Sequence, residues 1–472
     1  MKTSILSNMK IASQNKKKMN KLFDIFDPVS AKQWKQKIQV DLKGADYNDT
    51  LIWKAADGID VKPFYHSDDF KDDFIVSETK STVWRISQSI NVDTAEESNS
   101  IAKDALEKGA EHIIFNIQSK TVNLSNLVSG INHPIHFNFR FFSESLVEEL
   151  SQLQHTKFTY NNDIIGYLGK TGNWFSNLND DHNALEKSVR THQQLYIDLS
   201  HYQNAGATHV QQLAYALAHT TEYLNHFDEK LDASEKQSIE VIFNVAVGSN
   251  YFFEIGKLRA LRQLWNALAE PFGFNTTCQI HTTPSKRNKT IYDYNVNMLR
   301  TTTESMSAIL GGADIIYNRA YNSLFQNATE FGERISRNQL LILKNESYFD
   351  VVKNPANGAY YIESLTQQLC EKALTLFKTI EKSGGFSSQL KEGVIQRKIK
   401  ESAQKEQEAF DAEQIILLGT NKHPNRNDEM AQNLEKQPFL SIEKRKTLLE
   451  PIIEKRLSET IEQNRLKEER TR

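Results

Sequence analysis

The feature that most constrains the fold is a regular alternation of short apolar runs with helix-prone stretches, beginning near residue 82. Eight runs can form strands, although the fourth contains Gly166 and few β-branched residues. The candidate strands are Thr82–Ile90, Glu111–Ile117, Pro134–Phe139, Asn162–Leu168, Leu195–Leu199, Ile239–Val247, Thr276–His281 and Ala313–Tyr317. Strands that alternate with helices indicate βαβ units, and eight such units predict an α/β fold of the TIM (β/α)8 barrel type.

The helix after the sixth strand has the clearest periodicity. Apolar residues recur every three or four positions from Ile255 to Leu268, so they share one face. Lys257, Arg259 and Arg262 lie away from this stripe. We expect these three cations in solvent or at an interface.

The chain divides into four predicted segments. Residues 1–26 read as a disordered extension, with Met19 as a possible true start, and residues 27–75 as an extended N-terminal arm. The barrel occupies residues 76–395, and residues 396–472 form a helical C-terminal extension. Apolar residues within the charged stretch 441–472 leave two interpretations open: a solvated amphipathic helix, or a strap that packs on a partner subunit.

Composition excludes several classes of protein. The formal charge of −3 over 472 residues gives no bulk attraction to nucleic acid. Two cysteines cannot form a disulfide framework, which fits a reducing cytoplasm. Neither an apolar run of about 18 residues nor the apolar core of a secretory signal is present, so no membrane span is predicted.

Generic motifs for cofactors and metals do not occur: the chain contains no GxGxxG, GxxxxGK[ST], HExxH or CxxC. His192, His201 and His209 cluster in sequence, but histidines so spaced are usually hydrogen-bonded or exposed, and we predict no metal site. His201 stands out because it follows the fifth candidate strand. The active sites of TIM barrels are built at such strand ends.

Four longer motifs carry a family resemblance. They are Ser200–Thr208 (SHYQNAGAT), Asn250–Arg262 (NYFFEIGKLRALR), Arg334–Asn338 (RISRN) and Asn354–Glu363 (NPANGAYYIE). Together they resemble the acyl-CoA-binding barrel of adenosylcobalamin-dependent methylmalonyl-CoA mutases, over roughly residues 50–425. His201 matches the family histidine that contacts the substrate thioester carbonyl, while Ser200 replaces the tyrosine before it.

The catalytic letters of that family are altered here. Trp84–Glu97 aligns without a gap to the first strand of the catalytic chains, yet Ser89 replaces the tyrosine that helps drive cobalt–carbon homolysis. At the seventh strand His281 is kept, but its neighbouring arginine and glutamine are lost. Tyr317 replaces a histidine after the eighth strand. Lys170 is the best substitute for the arginine that binds the substrate carboxylate, and a lysine lacks the bidentate guanidinium fork.

The resemblance therefore implies a small, non-catalytic subunit. Ser89, His201, His281 and Tyr317 would be vestigial positions, with no cofactor and no metal on this chain. The sequence contains no Asp-x-His-x-x-Gly, the motif whose histidine ligates cobalt, and we expect no cobalamin-binding domain. Adenosylcobalamin and the acyl-CoA substrate would bind a large catalytic subunit, which interconverts (R)-methylmalonyl-CoA and succinyl-CoA in propionate metabolism.

Two other interpretations stay open. The chain could be a catalytic acyl-CoA mutase barrel whose cobalamin domain is a separate chain, although Ser89 and Tyr317 argue against it. It could also be a stand-alone lyase or hydrolase with His201 as general base, although no partner carboxylate is evident in the sequence.

Overall fold

The computed structural model describes residues 26–70, 81–155, 157–439 and 445–471, and divides into two compact units between Asp73 and Phe74. In the larger unit, eight parallel strands surrounded by helices form a sheet in the order β4-β3-β2-β1-β8-β7-β6-β5. The strands are β1 Arg85–Asn91, β2 His112–Ile117, β3 Ile135–Phe139, β4 Phe158–Tyr160, β5 Gln194–Asp198, β6 Glu240–Val247, β7 Cys278–Pro284 and β8 Ile315–Tyr317. The predicted TIM (β/α)8 barrel is confirmed.

The helices of this unit alternate with the strands and continue beyond the barrel. They are α1 Ala95–Glu107, α2 Leu124–Val128, α3 Glu144–Ser151, α4 Ile164–Thr171, α5 Leu178–His192, α6 Ser200–Ala205, α7 His209–Phe227, α8 Ala233–Ser238, α9 Tyr251–Phe272, α10 Val296–Leu310, α11 Glu330–Leu341, α12 Tyr360–Lys382, α13 Gly385–Lys391, α14 Val394–Asp411 and α15 Glu459–Thr471. Short 3-10 and π turns add Ser81–Val83 and Ile342–Glu346. Within the described ranges, no helix is long and apolar enough to cross a membrane.

The fourth strand lies elsewhere than predicted. The run Asn162–Leu168 was expected to be extended, but Ile164–Thr171 is helical and the strand is Phe158–Tyr160. Asp163 caps the helix by accepting a hydrogen bond from the amide of Gly166 at 2.8 Å. The prediction was wrong because apolar composition alone does not distinguish a buried helix from a strand.

Side chains close the barrel between β4 and β5. These two strands share no backbone ladder in the described part of the sheet. Instead, Asn162 donates to the Gln194 carbonyl at 3.0 Å and accepts from the Tyr196 amide at 2.8 Å. Asp163 accepts from the amide of Asp198 at 2.8 Å. The side chains of Asn162 and Asp163 thus satisfy backbone hydrogen-bonding groups of β5, because the three-residue strand β4 is too short to pair with them.

Two cations of α9 are buried rather than exposed, contrary to expectation. Lys257 pairs with Glu254 at 2.5 Å and donates to the Ala246 carbonyl at 2.8 Å. Arg259 binds Glu363 of α12 through two hydrogen bonds of 2.8 and 2.9 Å. Buried charges are tolerated when they are paired and hydrogen-bonded in this way.

The third cation of α9, Arg262, is also paired within the unit. It bonds Asp314 at 2.5 Å and the Cys278 carbonyl at 2.7 Å. The polar edge of α9 therefore ties the helix to neighbouring parts of its own barrel.

The C-terminal extension is only partly helical. Helix α14 covers the first part of the predicted helical extension. Residues 445–458, here called the strap, contain no helix, and α15 covers only Glu459–Thr471. Pro451 disfavours a helix through this segment. Residues 440–444 lie outside the described residues.

The strap packs on its own barrel. Leu449, Ile452 and Leu457 are buried, and the Ile452 amide donates to the Gly169 carbonyl at 2.8 Å. The solvated amphipathic helix is therefore wrong for these residues, and the burial predicted against a partner subunit is supplied by the same chain.

The smaller unit is described over residues 26–70, and the predicted extension 1–26 lies outside the described residues except for Phe26. It contains helices Ala31–Asp41 and Tyr47–Leu51, an antiparallel pair Trp53–Lys54 with Asp60–Val61, and a 3-10 turn Ser67–Asp69. Ser30 and Gln33 form a capping box on the first helix. Tyr47 and Ile59 are buried, whereas Trp34 and Trp53 remain about half exposed, at 50% and 51%.

Candidate functional site

A polar cavity of about 400 Å³ opens at the carboxyl-terminal end of the barrel, where the active sites of TIM barrels lie. Its walls come from the ends of the strands and the loops that follow them. The deeper lining includes Ser89, His136, Tyr196, His281 and Tyr317, and the charged lining includes Arg140, Lys170, Asp198, Lys286, Arg319, Glu333, Lys436 and Glu454. The mouth of this barrel is therefore a charged pocket over an aromatic floor.

Rings close the floor of the cavity. His136 stacks on Tyr196 with centroids 4.5 Å apart, and His281 stands at right angles to His136 at 6.1 Å. His112 lies one layer deeper, 5.9 Å from His281. Burial lowers the pKa of His281 to about 3 and holds the pKa values of His112 and His136 well below their usual range. At neutral pH these imidazoles are uncharged packing groups.

One wall is a row of carboxamides that satisfy one another. Asn116 donates to Ser89 Oγ at 2.8 Å and to Asn91 at 3.1 Å, and Asn138 donates to Asn116 at 2.9 Å. The three asparagines are side by side in the strand register of β1, β2 and β3. This wall is neutral, because its polar atoms bond chiefly to each other.

Three of the four predicted site residues meet at this cavity. Ser89 accepts a hydrogen bond from Asn116 at one end of the carboxamide row. His281 belongs to the floor, where its Nε2 lies 3.2 Å from the side-chain oxygen of Gln279. Tyr317 lines the cavity from β8, the strand next to β1, and burial together with Glu333 raises its pKa to about 12. A general acid or base needs a pKa near the working pH. None of these three side chains provides one.

The structure separates His201 from the other three. It is the second residue of α6, is only 1% exposed and does not line the cavity. A Cβ placed on Gly169 would lie 3.9 Å from His201 Nε2 and 3.7 Å from Ile452, which locates the imidazole beneath the strap. Neither ring nitrogen has a hydrogen-bond partner within the described residues, and burial lowers the pKa of His201 to about 4.

The strap forms the second wall and carries a carboxylate into it. Glu454 bonds Lys286 at 2.8 Å and lies 4.0 Å from Lys170. Burial opposes ionisation of Glu454, but the two ammonium groups outweigh it and hold its pKa well below the usual range. The ionised carboxylate of Glu454 is thus a counterion for Lys170, the residue that the sequence analysis gave as the substitute for the carboxylate-binding arginine.

Sequence reasoning missed Glu454 as a site residue. Its apolar neighbours on the strap were noticed, but their packing partners lie nearly 300 positions earlier in the chain. The residue in the sequence that could have pointed to the strap is Gly172. Glycine is required where the strap crosses, because φ is 81° there and a Cβ built on Gly172 would lie 2.6 Å from the Leu449 carbonyl oxygen.

The three clustered histidines do not converge on a metal. His192 contacts Tyr160 at 2.7 Å and His209 lies 3.4 Å from Glu254, each in a different part of the barrel. Across the residues that the structure describes, no group of three or more His, Cys, Asp or Glu side chains could hold a metal ion.

Comparison with known proteins gives a consistent set of relatives. The family profile described as "Methylmalonyl-CoA mutase" matches residues 142–469. The chain is 32% identical to "Methylmalonyl-CoA mutase small subunit" of Porphyromonas gingivalis, over 87% of this chain and 72% of that protein. It is 33% identical to "Methylmalonyl-CoA mutase large subunit" of the same organism, over 47% of this chain and 32% of that protein.

A further relative is "Methylmalonyl-CoA mutase" of Rhizobium meliloti. The two are 28% identical over 80% of this chain and 62% of that protein. The chain therefore spans less than two thirds of the length of that mutase.

Proposed function

Because the chain belongs to the methylmalonyl-CoA mutase family, we propose that it is the small subunit of a two-chain mutase and is catalytically silent by itself. Its partner is a large subunit that carries adenosylcobalamin and interconverts (R)-methylmalonyl-CoA and succinyl-CoA. A relative that covers 87% of the chain bears the small-subunit name, and a large subunit exists in the same organism. We place the pair in the cytoplasm.

The proposal rests on the residues that stand at two catalytic positions of the family, Ser89 and Lys170. Ser89 occupies the position of the tyrosine that the resemblance assigns to cobalt–carbon homolysis, and its hydroxyl is already bonded to Asn116. Lys170 occupies the position of the carboxylate-binding arginine and faces Glu454 instead. An ammonium cannot reproduce the two parallel hydrogen bonds of a guanidinium. This barrel therefore lacks the groups that would hold a carboxylated thioester and start radical chemistry.

The cavity does not fit adenosylcobalamin. A volume of about 400 Å³ is at the lower end of pockets that accept drug-sized ligands, and cobalamin is much larger. The floor histidines are engaged in the barrel, as in the 2.9 Å contact between His136 and Thr159. We assign the cofactor and the acyl-CoA substrate to the large subunit, where the cofactor supplies the radical chemistry.

A hydrolase or lyase built on His201 is disfavoured by geometry. A general base must reach the proton that it abstracts, directly or through one water. His201 lies beneath the strap, and its low pKa leaves it a weak base.

The test is to purify the chain alone, and then together with its large subunit. We expect the chain alone to form no succinyl-CoA and to give no saturable absorbance change with adenosylcobalamin, while the pair does both. Stoichiometric cofactor binding by the chain alone would overturn the proposal. Activity of the chain with a separate cobalamin-binding protein that lacks a barrel would support the alternative of a catalytic barrel.

A further inference from the structure

Lys286 lies near one carboxylate and two other cations of the cavity lining. Glu454 pairs with Lys286 at 2.8 Å and approaches Lys170 at 4.0 Å. Arg319 lines the same cavity and is close enough to Lys286 that its charge, like that of Lys170, lowers the pKa of that ammonium group. Glu454 raises the same pKa, but burial and the two other cations outweigh it.

Arg319 has no anionic partner in the described part of the chain. No ion pair or hydrogen bond reaches its guanidinium, and its Nε is buried without a partner. Its guanidinium carbon lies over the ring of Tyr317, 5.9 Å from the ring centroid. A partly buried guanidinium without an acceptor is costly, and its planar fork is suited to the oxygens of a carboxylate or phosphate.

Carboxylates of the lining offset only part of the positive charge. Glu333 is close enough to interact with Arg319, and its carboxylate accepts a hydrogen bond from Gln88. Over the whole lining, five cations (Arg140, Lys170, Lys286, Arg319 and Lys436) face four carboxylates (Asp163, Asp198, Glu333 and Glu454), which leaves one formal positive charge in excess.

The floor limits the length of any ligand. His136, Tyr196 and His281 close the bottom of the cavity, which holds about 400 Å³. The carboxamides of Asn322 and Gln326 add neutral polar groups to the lining near Arg319.

We propose that this cavity binds a small organic dianion through oxyanion groups, with Arg319 as the principal anchor and Lys286 as the second cation. The carboxylate of Glu454 competes with the ligand for Lys286. The site is distinct from the mutase reaction assigned to the large subunit, and it gives this subunit a ligand of its own.

The experiment is isothermal titration calorimetry on the full chain at low ionic strength. The probes are malonate and succinate as dicarboxylates, inorganic phosphate as the alternative oxyanion, and succinamide as a neutral analogue. Arg319→Gln removes the anchor, Glu454→Gln removes the competing charge, and Arg397→Gln removes an exposed cation of α14 as the matched control.

We expect a dianion to bind and succinamide not to bind. Arg319→Gln should weaken binding at least about tenfold, equivalent to about 1.4 kcal/mol, whereas Arg397→Gln leaves it unchanged. Glu454→Gln should strengthen binding several-fold. Preference for a dicarboxylate or for phosphate identifies the source of the oxyanion.

Three results would overturn the proposal. They are no heat with any dianion at about 10 mM, equal losses in Arg319→Gln and Arg397→Gln, or no gain in Glu454→Gln. Because Glu454→Gln keeps the size and hydrogen-bonding capacity of the side chain, it decides the question even if Arg319→Gln fails to fold.

Discussion

Under the proposed function, the two walls of the barrel cavity lack the catalytic groups of the family in different ways. The wall built by β1 to β3 is neutral: Ser89 and three asparagines bond mainly to one another, so small polar side chains occupy the place of reactive ones. The strap wall remains charged and keeps the family histidine, but the strap seals His201 and delivers Glu454 to its lysines. The proposed silence would thus have two origins, substitution on one side and covering on the other.

The largest expected effect concerns the covered wall. Leu449 and Leu448 are adjacent and chemically identical, yet they are 7% and 72% exposed. Leu449→Ala should reduce the free energy of unfolding by about 3 kcal/mol, because it leaves a cavity between the strap and the barrel. Leu448→Ala should change it by less than about 0.5 kcal/mol. Urea denaturation of both variants checks this, and equal losses would mean that the strap does not pack as described.

The floor that joins the two walls should make stability depend on pH. Burial depresses the pKa of His281 to about 3, so between pH 6.5 and 3 the unfolded chain binds more protons than the folded one. Stability is then complete above about pH 6.5 and falls as pH decreases, by about 1.4 kcal/mol per pH unit for each such histidine.

The check is a comparison of unfolding free energies at pH 7 and pH 5. His281→Gln should reduce the difference between the two by about 2 kcal/mol, since 1.5 pH units below 6.5 contribute at that slope. His133→Gln alters an exposed histidine and serves as control. A pH difference unchanged in His281→Gln would show that this ring is not held neutral in the folded chain.

If both walls are silent, the contribution of the chain to a mutase lies in its surfaces, and the N-terminal arm is the first to test. Trp34 and Trp53 are about half exposed, and exposed apolar groups of this size usually mark an interface. Deletion of residues 1–72 should weaken the complex with the large subunit by about tenfold or more, or about 1.4 kcal/mol, and leave the barrel folded.

Size-exclusion chromatography with the large subunit measures the effect of the deletion. Circular dichroism of the truncated chain confirms that the barrel is intact. Undiminished co-elution would assign the exposed tryptophans another role.

The smallest expected effect is on the neutral wall. Ser89→Tyr restores one catalytic letter but should produce no detectable succinyl-CoA, because catalytic groups act as a unit and the strap still covers His201. The unaltered large subunit is the positive control for the assay. Turnover by Ser89→Tyr would mean that the remaining site is functional and that substitution alone explains the silence.

Local sequence patterns were sufficient to predict the barrel and to locate the substitutions in the family motifs. Seven strands were predicted within a few residues of their positions, because a buried parallel strand is a short apolar run bounded by turns. The same patterns located Ser89 and Tyr317 at strand ends, where the structure brings them to one cavity. The fourth strand was misplaced, since its apolar run is equally compatible with the buried helix that Asp163 caps.

The sequence by itself determined the fold class and the substitutions within the family motifs, both of which are read from residues close together in the chain. Only the tertiary structure decided which polar groups are paired and which are covered. Arg259 meets Glu363 across 104 positions, and Lys286 meets Glu454 across 168. Periodicity reports which face of an element is apolar, but it carries no information about which distant segment covers that face. For that reason the isolation of His201 and the charged wall of the cavity became visible only in the folded chain.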